Sequence, residues 1–189
     1  VDFTQYSRIV VVSPQGPDSG CAILGQSQLG CSTYSTAGDG AFTASTSVLL
    51  DFYMVPQDRG AALAAHELGH ALGLGHANSL DFDLDVMAPV GKAGFGTSTE
   101  YGGPFSVMGS SELNRGHYGA GHKARLGWLD GRYATVEAGG TFHLAPYEQA
   151  AAAVQALKIR RAPGVDEWLW VEQRTATGPY DGALDPRSE

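Results

Sequence analysis

The stretch AAHELGHALGLGH, Ala64 to His76, holds three of the chain's six histidines. On a helix, residues four apart lie about 40° apart around the axis and one turn apart along it. His66 and His70 therefore present two imidazoles from one face, a spacing suited to a tetrahedral metal. Glu67 is rotated by about 100° from His66 and can lean over such a metal without ligating it, where a general base is needed. If the helix continued, His76 would point about 240° away from His70 and could not join the pair. The chain must turn back, and Gly73 and Gly75 supply positions that can take positive φ without a Cβ penalty, so the helix is expected to end at Gly73. Three histidines would then hold one metal and leave a fourth position open, as in catalytic rather than structural zinc sites. With the chain's own residue frequencies, the expected number of chance occurrences of this pattern is about 3 × 10⁻⁵, far below that of ordinary short motifs.

The flanking sequence sets the architecture around the motif. Pro56 and an N-cap at Asp58 open a run of strong helix formers, which predicts a helix over about 59–73. Upstream, SRIVVVSP (Ser7 to Pro14) reads as a buried strand, TSVLLDF (Thr46 to Phe52) as another, and CAIL and STYS as short ones. Residues 77–111 are glycine-rich and aperiodic, a loop long enough to expect a function. GHYGAGHKARLGWL predicts a second helix over about 115–126, with Trp128 as its anchor. From Tyr133 onward, TVEAGGTFHL, VQALKIRR and WLWVEQ alternate like strands. The reading is α+β, with a catalytic domain over 1–130 and a β-rich extension over 131–189 that is expected to be truncated.

Composition narrows the function classes. A net charge of −8 lacks the basic face that nucleic-acid binding needs. No apolar run approaches the length of a membrane span. The chain opens directly on VDFTQYSRIVVVSP, as expected of a mature or trimmed form. Cys21 and Cys31 flank a short loop and allow two readings, a disulfide or two buried thiols. The secreted-looking composition favours the bridge, worth roughly 3 kcal/mol in the chain-entropy model.

HELGHALGLGH is similar to the zinc signature of the metzincin endopeptidases, His-Glu-x-x-His-x-x-Gly-x-x-His. The resemblance implies a zincin-like fold with a mixed sheet and an active-site helix. It implies zinc on His66, His70 and His76, Glu67 as base and Gly73 at the turn. EYGGPFSVMGSS (Glu100 to Ser111) resembles the family's Met-turn, with Met108 beneath the zinc. The run from Glu100 to Leu129 further resembles the gametolysin and immune-inhibitor-A groups of secreted metalloproteases, and EWLWVEQRTATGPYDGAL a strand and loop found in them beyond the catalytic core. The resemblance covers about Val48 to Leu184. It departs from the family pattern in three places. The strand and long helix that usually precede the first strand are not seen, Ser110 stands where astacin-like members carry a tyrosine, and the chain ends at DPRSE where the family continues.

Other residues compete for roles. Met87 is an alternative to Met108, but Gly109 favours a tight turn at Met108. Asp81, Asp83 and Asp85 alternate in DFDLDV, although Val86 and Lys92 stand where an EF-hand needs glycine and glutamate, which leaves only a looser calcium site. His117 and His122 are expected to pack or face solvent rather than form a second metal site, and His143 to sit in a strand. No G-x-S-x-G elbow is present, and neither cysteine has a neighbouring histidine. The expected activity is that of a secreted zinc endopeptidase acting on a protein or peptide substrate laid along the sheet edge near Gly40 to Ser47. The alternative is a zinc-containing binding or adhesion module without proteolysis, which has no need of a base at Glu67.

Overall fold

A computed structural model of the chain describes residues 1–14, 23–50, 57–92, 94–109, 116–148 and 153–183. They fall into two units, one within Val1–His76 and the other within Ala77–Gly109 and from Gly116 onward.

The first unit is built on β4 (Gly40–Leu50), the longest strand. β1 (Arg8–Ser13) pairs with it in parallel, from Arg8 opposite Ser45 to Ser13 opposite Leu50. β2 (Gly25–Ser27) and β3 (Ser32–Thr36) pair with it antiparallel, opposite Leu49–Ser47 and Ala44–Gly40. β-Branched residues and serines fill β4, and its C-terminal half carries the buried Ala44, Ser45, Ser47, Leu49 and Leu50. The expected substrate edge is therefore closed on both sides only at its C-terminal end, and among the described residues Gly40–Ala44 have a strand partner on one side, β3. Thr46 and Ser47 are bonded on both sides, to β1 and to the β2 segment, and Gly40–Ala44 are taken by β3.

β1 differs from the buried strand expected of RIVVVS. Val10, Val11 and Val12 are 45%, 51% and 52% exposed: among the described residues β1 lies at the end of the sheet and pairs with β4 alone. An uninterrupted apolar run looks the same in sequence whether it is central or at an edge.

Helix α1 (Gln57–Ala71) begins two residues before the expected start, so Asp58 lies within it rather than capping it. Its buried face carries Ala62, Leu63, His66, Glu67 and Ala71. This is the i, i+3/i+4 stripe of a core-facing helix, except that two of its members are ionisable. Burying such groups is costly unless they serve a purpose, so the break in the pattern marks the site.

The second unit holds a three-stranded sheet in which β8 (Ala156–Arg160) lies between a parallel β7 (Tyr133–Val136) and an antiparallel β9 (Trp168–Glu172). Its other elements are a small ribbon of β5 (Ser79–Asp81) and β6 (Thr97–Thr99) and a short helix α2 (Ala120–Arg125). Ala120, Leu129, Tyr147 and Ala156 form its core, with Tyr133 and Trp170 packed against them. Leu129 anchors the end of the α2 segment. Trp128 is 53% exposed and only leans on Tyr118. His143 is exposed and lies outside any strand, because the chain is irregular beyond β7.

Candidate metal centre and general base

The end of α1 is set by backbone hydrogen bonding. Gly73 adopts φ +87°, its N–H donates to the His70 carbonyl at 2.8 Å, and Leu74 N–H donates to the Gly69 carbonyl at 2.9 Å. These are the two bonds of a Schellman motif with glycine at the left-handed position. Leu74 is fully buried just beyond, which locks the reversal. Gly75 does not take positive φ, so the turn rests on Gly73 alone.

The reversal brings His76 back to the pair on the helix. Among the described residues, His66, His70 and His76 form a group whose ligand atoms all lie within 4.8 Å of one another. His66 Nε2 and His70 Nε2 are 3.1 Å apart, and the His76 ring centroid lies 4.7 Å from that of His70 and 5.4 Å from that of His66. His70 Nδ1 is 2.8 Å from the Leu74 carbonyl oxygen. A carbonyl can only accept, so Nδ1 carries the proton and the lone pair of a neutral ring sits on Nε2. Three imidazole donors with one tautomer fixed by a backbone carbonyl suit a borderline transition metal such as zinc.

Glu67 is 5% exposed and lies against the sheet. Burial pushes its carboxyl above the ordinary glutamate range, while a hydrogen bond from Ser27 and the nearby His70 and His76 pull it down. Its Oε2 is buried without a protein partner. An orphaned carboxylate oxygen next to three imidazoles is what a water-activating site requires, and it costs stability if it serves nothing.

The segment resembling a Met-turn lies in the second unit. Gly109 N–H donates to the Ser106 carbonyl at 2.8 Å and closes a tight turn around Val107 and Met108. Met108 is fully buried, whereas Met87 is 46% exposed. Gly109 does not need an unusual φ. It is required by close approach, since a Cβ there would lie 2.0 Å from the Gly103 carbonyl oxygen. Ala77, the residue after His76, donates its N–H to the Met108 carbonyl at 2.8 Å and accepts from Gly103 N–H at 2.9 Å. Ser110 lies outside the described residues, as does Cys21; Cys31 is exposed.

Asp81, Asp83 and Asp85 are exposed and form no such donor group, the Asp81 carboxylate instead accepting the Asp83 N–H at 2.9 Å. A second group does form in the second unit, from His117, Glu148 and Asp181. Arg174 already forks onto Asp181 through Nε and Nη2, and Nη1 donates to Glu172 at 3.1 Å. Glu148 accepts the Tyr180 and Asp181 N–H groups. Lys123 lies 3.4 Å above the Tyr147 ring, and Tyr147 donates to Glu172 at 2.9 Å. Burial, then Lys123, lowers the His117 pKa and keeps its ring neutral. Two cations thus balance most of the carboxylate charge, as in a structural ion network. The sequence reading missed this network because its members come from segments up to 64 residues apart, from His117 to Asp181. It also missed Gly25, Ser27 and Ser47, which no motif marks and which only strand pairing brings to α1.

Neither a family model, nor a curated protein, nor a solved structure matches the chain. Among the described residues, no helix is long and apolar enough to cross a membrane.

Proposed function

We propose that the chain is the catalytic core of a secreted zinc endopeptidase. The observation that carries this reading is the buried Glu67 carboxylate, with one unpartnered oxygen, beside the three converging imidazoles. His66, His70 and His76 would hold the metal through their ring nitrogens. Zinc, when bound there, would act as a Lewis acid that lowers the pKa of water toward about 7 and offsets charge developing at a carbonyl. Glu67 takes a proton from the attacking water at Oε2 and returns it to the departing amine. An extended substrate would pair through its backbone with an open edge of the β4 sheet. A binding module that used zinc only for structure would have no use for a buried carboxylate at this position.

The test is metal analysis combined with digestion of casein or a peptide library, with and without a chelator. One zinc per chain is expected, with hydrolysis lost on chelation and restored by Zn²⁺. Absence of a transition metal, or a zinc-loaded protein that leaves every peptide intact, would overturn the reading.

A further inference from the structure

We propose that β2 is a built slot for the Glu67 carboxylate and that Gly25 and Ser27 are positioning residues for it. This rests on the reading of Glu67 as the base. Residues i and i+2 of a strand share a face, so Gly25 and Ser27 both address α1. A Cβ on Gly25 would lie 2.8 Å from both Cγ and Oε1 of Glu67 and 3.0 Å from its Cδ. Gly25 is not at positive φ, so the backbone does not demand glycine here. The space its side chain would fill is occupied by Glu67.

The Ser27 hydroxyl lies close enough to the carboxyl to draw its pKa down. Oε1 is the oxygen that packs on Gly25, on the β2 side of the carboxyl, whereas Oε2 has no protein partner. Ser27 is itself held, its Oγ lying 2.7 Å from the Oγ of Ser47, the buried residue opposite it on β4. Just beyond β2, Gly30 N–H donates to the His70 carbonyl at 2.8 Å, which ties this edge of the sheet to the helix that carries Glu67. One carboxylate oxygen thus packs against the sheet and the other is left for chemistry. The base is aimed by β2 as well as by α1.

Two measurements on the zinc-loaded protein test this. In the rate, Ser27→Ala should lower kcat roughly tenfold, with KM and zinc content unchanged, and Ser27→Thr should restore it by returning the hydroxyl. Gly25→Ala should lower kcat by about 100-fold, the scale of a misplacement near 1 Å. In stability, Gly25→Ala should lower the melting temperature of the wild type, but the loss should disappear in a Glu67→Ala background, where the new methyl meets empty space. An active wild type whose kcat is unaffected by Ser27→Ala and Gly25→Ala would overturn the slot. So would a melting-temperature loss from Gly25→Ala that persists without Glu67. The second measurement needs no activity, so an inactive wild type would refute the proposed function while the slot remained under test.

Discussion

The Leu74 carbonyl oxygen lies 2.8 Å from His70 Nδ1, so the turn that ends α1 also sets the tautomer of one of its imidazoles. Leu74 reaches that position because Gly73 takes φ +87°. Helix termination and donor orientation are one piece of geometry. On the proposed function, disturbing the turn should therefore reach the metal without touching any donor.

Gly73→Ala puts a Cβ at a left-handed position, where a non-glycine residue is strained by roughly 1 kcal/mol or more. Zinc affinity should fall by roughly 10–100-fold, the usual effect of disturbing a partner of a ligating histidine. Competition with a chromophoric chelator measures it. An unchanged affinity would make the Leu74 contact incidental to metal binding.

Glu67→Gln keeps shape and hydrogen-bonding capacity but cannot take a proton at neutral pH. Peptide hydrolysis should fall by roughly 10²–10⁴-fold with zinc retained. Loss of zinc along with activity would assign Glu67 a structural role, and near-normal turnover would remove it from the mechanism.

The parts of this molecule legible in the sequence are those decided locally. The α1 helix and its end at Gly73 follow from propensity and one glycine, and the convergence of three histidines follows from helical geometry and a reversal. What could not be read depends on pairing across the chain. Val10 to Val12 are exposed because of where β1 sits in the sheet, and Gly109 is needed because Gly103 passes 2.0 Å from its missing Cβ. Gly25 looks like an ordinary loop glycine until β2 is laid against α1. Propensity and spacing carry no information on which residue of a distant strand faces a given helix position.

Cys21 and Cys31 bracket β2, so their redox state bears on the edge that holds Glu67. A thiol assay on the unfolded, unreduced protein should find neither free, and the two Cα atoms should lie within about 7 Å. Reduction should then lower stability, by an amount near 3 kcal/mol in the chain-entropy model. Two free thiols would refute the bridge.

Lys123 should titrate well below an ordinary lysine. Burial, then the nearby Arg174, lowers its pKa to about 8, against partial compensation from Glu172, Asp181 and Glu148. The unfolded chain, with a lysine pKa near 10.4, binds more protons between these values. This group alone therefore makes stability rise as pH climbs from about 8 toward about 10.4. Below pH 8 both states are protonated and the full cost of burying the charge is present. A titration of the Lys123 side-chain nitrogen by NMR checks the pKa, and a midpoint above 10 would remove the effect.

Met108 and Met87 should respond to the same substitutions by very different amounts. Met108 is fully buried in a turn whose carbonyl holds Ala77, the residue directly after His76. Met108→Leu is close to volume-conserving and should cost less than about 1.5 kcal/mol. Met108→Ala leaves a cavity and should cost about 2–5 kcal/mol. Met87 is nearly half exposed, so either substitution there should stay within about 0.5 kcal/mol. The site gives a sharper distinction than stability. If the Met108 turn supports the zinc ligands through Ala77, Gly109→Ala, whose Cβ cannot fit beside the Gly103 carbonyl, should weaken zinc binding. Met108→Leu should leave zinc bound with a modest loss of activity, since the thioether's flexible contact is replaced by a branched chain of similar size. Denaturant unfolding and zinc competition on the five variants measure both effects. Zinc binding that is insensitive to Gly109→Ala but falls with Met87→Leu would move the supporting role to the other methionine.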